Sequence, residues 1–430
     1  MRYAIVSKGL TVSQLQDETQ RCGGRNLKVA SASKQIFCDL DDVGLAKLKV
    51  IPGLAIKEIG KVSPHIILPP QAGVIGPSIY AASQNAIASL LFQYREILSP
   101  PLTGHVWTVA VLDSGIRKTH IGLEDKVIYE ENFTTSPDCD DHYDHGTSVA
   151  FLIAGGKHAP GEEAGIAPGA PLMSLKVLND DGMGLEEDVV LAIERVIALR
   201  KEAVAKGLSE DDPAHVSAIN MSFGSPDDGD PDNPMRVACR AAFEAGIGLG
   251  ASAGNDGPNP GTITCPGTEE CVYCVGSTTF SPWEIWSHSS RGPTKEGLIK
   301  PDLVTFGVDT ITASAKSDTA FEMKSGTSFA APIATGGCCL SQEVAVRMFN
   351  MWISPKDAWP ILPLTCKKPE GAPREKDNDY GFGMPTGDLM KRLISPLGIP
   401  GIGEVANLLV PVLGIGMVGM MISGMGKGMK

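Results

Sequence analysis

The sequence predicts an α/β protein: a mainly parallel sheet flanked by helices, preceded by a small α+β domain. Three observations predict it. Strand and helix signals alternate from residue 105 to about residue 393, which implies parallel strands joined by helical crossovers. Val109-Ala110-Val111-Leu112 is a short apolar run ending in Asp113-Ser114-Gly115. It reads as a strand buried on both faces that delivers a carboxylate at its C-terminal end. The first 62 residues carry short elements in the order β-α-β-β-α-β, which is ferredoxin-like.

Residues 3–6 read as a strand and 12–21 as a helix ended by Gly23-Gly24. Residues 27–30 and 35–40 read as strands, 42–49 as a short helix closed by Pro52-Gly53, and 55–59 as the last strand of the unit. Residues 63–104 form a connector broken by Pro64, Pro69-Pro70, Pro77 and Pro100-Pro101, with a helix over 79–97. Beyond it, 170–177 is a strand and 186–205 a long helix with apolar residues at helical spacing. Strand 216–221, helix 235–245 and strand 247–252 follow. Residues 209–213 and 226–234 are acidic, Pro-rich surface loops. The expected organisation is 1–62, 63–104, 105–393 and an apolar Gly/Met-rich tail, 394–430.

The chain has 430 residues, enough for more than one domain and a large core. Its net charge of −13 argues against nucleic acid and anionic membrane surfaces as partners. No apolar run at the N-terminus is long enough for a secretory signal, so free thiols are expected for the ten cysteines. Cys271-Val272-Tyr273-Cys274 has metal-ligand spacing, but no second pair follows it; a buried thiol at Cys274 is the reading, and no metal site is expected.

Three stretches carry the chemistry. Ser325-Gly326-Thr327-Ser328-Phe329-Ala330-Ala331-Pro332 places a serine hydroxyl where a helix begins, near backbone N–H groups that favour negative charge. Asp144-His145-Gly146-Thr147 opens a second apolar run with a histidine, and Asp113 ends the first strand. Serine becomes a nucleophile when a base takes its proton, histidine titrates in the right range, and a buried carboxylate fixes the histidine tautomer. Singly these residues read as a helix cap, a helix-start residue and a turn former. Together, in the order Asp, His, Ser, they have the chain order of a subtilisin-type triad.

Asp-Ser-Gly, His-Gly-Thr and Gly-Thr-Ser-x-Ala-x-Pro resemble the three signatures of subtilisin-like serine proteases, the subtilases, over residues 106–393. The resemblance implies a peptide-bond hydrolase with Asp113 orienting, His145 as general base then acid, and Ser328 as nucleophile. Asn255, in Ala253-Gly254-Asn255, matches the asparagine that stabilises the oxyanion in the family. Gly182-Met183-Gly184 and Ser222-Phe223-Gly224 match the two segments that flank an extended substrate, with Ala251, Ser252, Ala253 and Gly254 beside it. Phe223, Met183 and strand residues 250–253 would give apolar pocket walls over a floor at 262–267, favouring apolar or aromatic side chains before the scissile bond.

The resemblance also implies that the N-terminal unit is an inhibitory, chaperoning propeptide and that the protein is made as a zymogen. A permanently attached accessory domain is the alternative. No cofactor is needed for the chemistry. Structural calcium is a family feature, but the strong-site aspartate position is Gly122 here, and Gly155-Gly156-Lys157-His158-Ala159-Pro160 replaces the usual loop. The partners expected are a peptide or protein substrate and the chain's own N-terminal unit. Rival readings are a processing protease dedicated to one precursor and a silent scaffold with its cleft permanently filled.

Residues 405–426 carry no charge and include Pro411 and five glycines. As one helix they would reach about 33 Å, enough for a bilayer; started at Pro411 they reach only about 24 Å. The location expected is cytoplasmic, or membrane-associated through this stretch, with packing on the protease domain or a flexible, autolysed extension as the alternatives.

Overall fold

The computed structural model describes residues 1–67, 95, 98–156 and 165–387. The expected connector helix over 79–97, apart from residue 95, and the tail after 387 lie outside the described residues.

The N-terminal unit runs β1 (Arg2–Ser7), α1 (Val12–Arg21), β2 (Arg25–Ala30), β3 (Gln35–Asp39), α2 (Asp42–Lys49) and β4 (Leu54–Glu58). Its antiparallel sheet has the order β2-β3-β1-β4. Thr11 caps α1 with a reciprocal hydrogen bond to Gln14, and Asp41 caps α2. Strand alternation sends Tyr3 and Ile5 to one face, where they pack on Leu15, Ile36 and Leu48. The other face carries Ala4, Ala30 and Phe37, which join the core of the larger domain. The central strands β1 and β3 are therefore covered on both faces, while the edge strand β2 stays largely exposed.

A further strand, β5 (Lys61–Pro64), leads into the larger domain. That domain contains β6 (Thr108–Asp113), β7 (Val127–Asn132), α3 (Gly146–Ala154), β8 (Leu172–Lys176), β9 (Gly184–Leu185) and α4 (Glu186–Ala205). There follow β10 (Val216–Met221), β11 (Phe223–Gly224), α5 (Pro234–Glu244), β12 (Gly248–Ser252), β13 (Tyr273–Thr278), β14 (Leu303–Phe306), β15 (Thr310–Ala313), β16 (Phe321–Lys324) and α6 (Thr327–Phe349). Seven strands form one parallel sheet in the order β14-β13-β12-β10-β6-β8-β7. Every residue of β6, β8 and β10 is buried, as continuous apolar runs require when helices cover both faces. The sheet's carboxyl ends collect the residues discussed below, at the edge where open α/β sheets bind ligands.

The expected strands and helices recur with boundaries shifted by one or two residues. The sequence reading did not find the hairpin of β15 and β16 or the edge strand β7, whose half-exposed Val-Ile-Tyr-Glu-Glu-Asn lacks a clean period. Among the described residues no helix is long and apolar enough to cross a membrane. All ten cysteines are free, and burial pushes the Cys271 and Cys274 thiols up to about 12. At position 122 a Cβ would approach the Phe151 ring to 2.5 Å, so an aspartate there does not fit. No group of three metal-ligating side chains occurs among the described residues.

The N-terminal unit is held on α4 and on the loop before α5 by opposite charges as well as by its apolar face. Arg2 forms a two-point ion pair with Glu187 at 2.6 and 2.8 Å, and Lys28 reaches the same carboxylate at 2.9 Å. Glu194 accepts Ala32 N, Ser33 N and Ser33 Oγ at 2.6–2.7 Å. Lys57 pairs with Asp228 and Asp230, and Lys8 with Asp232.

Below the active edge, Lys300 and Asp302 form an ion pair at 2.7 Å, with side chains 2% and 1% exposed. Asp302 also accepts Cys274 N at 2.8 Å and Lys376 Nζ at 2.7 Å, tying β13 to the start of β14. Removing one partner of such a pair leaves a buried charge without compensation. Asp302→Ala is expected to cost about 3–5 kcal/mol, read as a lower denaturant midpoint at unchanged slope.

Candidate active site

Asp113 is the last residue of β6 and is 1% exposed. His145 immediately precedes α3, and its Nδ1–H donates to Asp113 Oδ1 at 2.7 Å. Two side chains stitch these segments together. Ser114 Oγ donates to Asp141 Oδ1 and accepts Gly146 N, at 2.8 and 2.9 Å. Buried Asp141 also accepts Asp144 N and Thr147 N, both at 2.9 Å. Asp144 takes a left-handed backbone (φ 69°), and its carboxylate meets buried Lys324 at 2.9 Å. Lys324 also donates to the Asp144 carbonyl and to Ser148 Oγ. The loop before His145 is thus bonded on both sides. Gly146 has no room for a side chain, because a Cβ would run into the Gly115 carbonyl and sit 3.0 Å from Asp113 Cβ.

Ser328 is the second residue of α6, so its backbone N–H is one of the helix's free donors. Pro332 lies one turn on and cannot bond back to the Ser328 carbonyl. Ser222 Oγ fills that gap, donating to Ser328 O at 2.9 Å. In turn Ser328 Oγ donates to Ser222 O at 2.6 Å. His145 Nε2 has no hydrogen-bond partner among the described residues, and neither has Asp113 Oδ2. The serine hydroxyl is therefore bonded to the Ser222 carbonyl and not to His145. Asn255 accepts Thr327 N and Thr327 Oγ1 at 3.0 Å each, while its Nδ2 is buried and unpartnered among the described residues. Those accepted bonds fix which way the amide points, and its free N–H group faces the Gly326 turn, 3.3 Å from where a Cβ on Gly326 would lie.

The cleft beside these residues is filled by the chain itself. Lys61–Pro64 is the middle strand of a three-stranded antiparallel sheet, β11-β5-β9. Lys61 and Val62 pair with Leu185 and Gly184; Ser63 and Pro64 pair with Gly224 and Phe223. Ile67 pairs with Ser325 beyond the serine. His65 lies between. Its N–H donates to Ser328 Oγ at 3.0 Å, and Ser328 N–H donates to its carbonyl oxygen at 3.4 Å. That oxygen crowds the position a Cβ on Gly326 would take, on the same side as Asn255 Nδ2. The His65 carbonyl carbon is thus presented to the serine, with its oxygen toward a helix N-terminus and an unpaired amide.

The side chain of His65 enters a pocket at the end of β12. Nδ1 meets Ser252 Oγ at 2.7 Å and Nε2 meets Thr264 Oγ1 at 3.3 Å. Gly224 supplies the room, since a Cβ there would stand 2.6 Å from His65 Cε1. Ala251 and Ala253 are buried, and Gly254 has φ 110°. Two expected wall residues are elsewhere. Phe223 is fully buried in the core beneath the cleft, because its backbone rather than its ring faces β5. Met183 is 41% exposed and borders a separate surface hollow with Arg2, Lys61 and Glu187. Gly182 (φ 74°) packs on Tyr143, and Gly184 lies against Val62.

Sequence reasoning did not single out His65, Asp141 or Lys324. Pro64-His65-Ile66 carries no motif, and the two charged residues act only through contacts that folding creates.

A family model for the subtilases matches residues 104–383. The chain is 32% identical over 308 residues to serine protease AprX of Bacillus subtilis (strain 168), covering 66% of this chain and 65% of that one. It is 30% identical over 246 residues to subtilisin of Bacillus sp. (strain TA39), covering 53% and 54%. It is 29% identical over 250 residues to an intracellular serine protease of Paenibacillus polymyxa, covering 56% and 68%. The matches to the first two relatives span less than two thirds of their own lengths.

The carboxylate–imidazole geometry has a direct readout. A proton held between His145 Nδ1 and Asp113 resonates far downfield in the proton spectrum. Gly146→Ala forces the two loops apart, and that resonance is expected to disappear or move upfield while the overall fold persists by circular dichroism.

Proposed function

The chain belongs to the subtilase family, and from that premise we propose that it is a serine endopeptidase made as a zymogen, with residues 1–65 as its inhibitory propeptide. The observation that carries this is the strand Lys61–Pro64, seated between β9 and β11 with His65 against Ser328. Strand addition of this kind is how an extended peptide is held by backbone hydrogen bonds. Here it brings one peptide bond, His65–Ile66, to the nucleophile.

In the proposed reaction Ser328 Oγ turns from the Ser222 carbonyl to His145 Nε2 and attacks the carbonyl carbon. The Oγ proton passes to Nε2, and Asp113 stabilises the imidazolium through Nδ1–H. Ser328 N–H and Asn255 Nδ2 receive the oxyanion. Collapse breaks the bond to the following nitrogen, which takes the proton from Nε2. Water, deprotonated by the same imidazole, then hydrolyses the acyl-enzyme and restores Ser328. Substrates in trans would use the same strand positions once the N-terminal unit has left.

Wild-type protein is expected to yield a species beginning at Ile66, and Ser328→Ala to remain full length. N-terminal sequencing and intact mass check this, and unchanged processing in pure Ser328→Ala would exclude self-cleavage. Asn255→Ala is expected to lower turnover about 10²–10³-fold with little change in the Michaelis constant, because the donor acts on the oxyanion and not on the ground state. A raised Michaelis constant at unchanged turnover would make Asn255 a binding residue instead.

A further inference from the structure

The primary pocket has a chemistry of its own. A neutral imidazole has one donor and one acceptor nitrogen. Ser252 Oγ and Thr264 Oγ1 stand against the two ring nitrogens at 2.7 and 3.3 Å. A hydroxyl both donates and accepts, so both tautomers are satisfied. Thr264 Oγ1 also lies 3.3 Å from the Ala253 carbonyl, so it can donate there while accepting Nε2–H. The ring is buried, and the flat wall at Gly224 fits its edge.

We infer that Ser252 and Thr264 are specificity-determining residues, and that the pocket selects a neutral histidine immediately before the scissile bond. This rests on the endopeptidase reading above and names its substrate class: chains with an extended strand ending in histidine, as Val62-Ser63-Pro64-His65 does. The pocket expected from the glycine-rich segments was apolar. Phe223 and Met183 do not line it, and the hydroxyls of Ser252 and Thr264 face its occupant. An apolar ring placed there strands the Ser252 hydroxyl in a buried site and leaves Thr264 only its bond to the Ala253 carbonyl, and sites built to hydrogen-bond their ligand reject analogues that cannot reply. A lysine or arginine would bring in a charge that burial penalises. Burial and the charge of His145 both lower the His65 imidazole pKa, to about 3, which agrees with a neutral ring.

The test uses the processed wild-type protein and fluorogenic peptides that carry Val-Ser-Pro followed by His, Phe, Leu or Gln at the cleaved bond. The His peptide is expected to exceed the Phe peptide in kcat/KM by about tenfold or more. Ser252→Ala/Thr264→Val is expected to erase that preference, lowering the ratio of kcat/KM for the His peptide to that for the Phe peptide about tenfold. Independently, His65→Phe is expected to slow self-processing of the full chain by a similar factor. Protein that processes at His65–Ile66 and takes a fluorophosphonate on Ser328, yet prefers Phe or Leu peptides, would overturn the pocket inference and leave the endopeptidase reading intact. Unchanged self-processing in His65→Phe would overturn it in the same way. Protein that neither takes the fluorophosphonate nor cleaves any peptide would overturn both.

Discussion

The 2.7 Å hydrogen bond from His145 Nδ1 to Asp113 Oδ1 joins a strand end to a helix start that share no sheet pairing. Its formation requires that β6 stop where α3 begins. The sheet meets that condition by burying all of β6, whose one charged side chain, Asp113, stands at its carboxyl end. Ser114 and Asp141 lock the two segments, and the absence of a Cβ at Gly146 allows them to approach. These supporting bonds are made by buried, satisfied polar groups, which hold the imidazole in one orientation and tautomer.

The serine arrives on the longest helix described, which packs on α3 over the same face of the sheet and whose first turn is deprived of one internal bond by Pro332. Ser222 compensates, and the same residue's carbonyl holds the Ser328 hydroxyl. The segment that borders β5 is therefore the segment that sets the orientation of the Ser328 hydroxyl. The pairing of β5 with β11 and the serine orientation share one stretch of backbone.

The architecture was largely legible in the sequence, because parallel strands buried on both faces are written as apolar runs and amphipathic helices as periodic ones. Asp113, His145, Ser328 and Asn255 stood out because each closes or opens such a run beside small residues. The side chains that line the cleft were less legible. Strand alternation decides whether Phe223 points to the cleft or to the core, and a two-residue strand carries too little pattern to show it. His65 was invisible for a different reason: it acts through pairing with strands more than a hundred residues away, and a single histidine after a proline has no local signature. Asp144 and Lys324 illustrate the same point, being 180 residues apart and meaningful only as a pair.

The charges across the N-terminal interface divide the molecule. Residues 1–62 hold ten basic and six acidic side chains, a balance of +4, so the remainder of this −13 chain carries −17. Two bodies of opposite sign attract before they touch, over a range set by the Debye length, about 8 Å at physiological ionic strength. Once docked, the Arg2–Glu187 pair lies with Glu187 only 2% exposed, where mobile ions do little screening. Ionic strength therefore acts unequally across the interface: it screens the exposed pairs of Lys8 and Lys57 and scarcely reaches Glu187. Added salt thus loosens the rim of the interface before its centre, and the contact that persists in concentrated electrolyte is the one between β1 and α4.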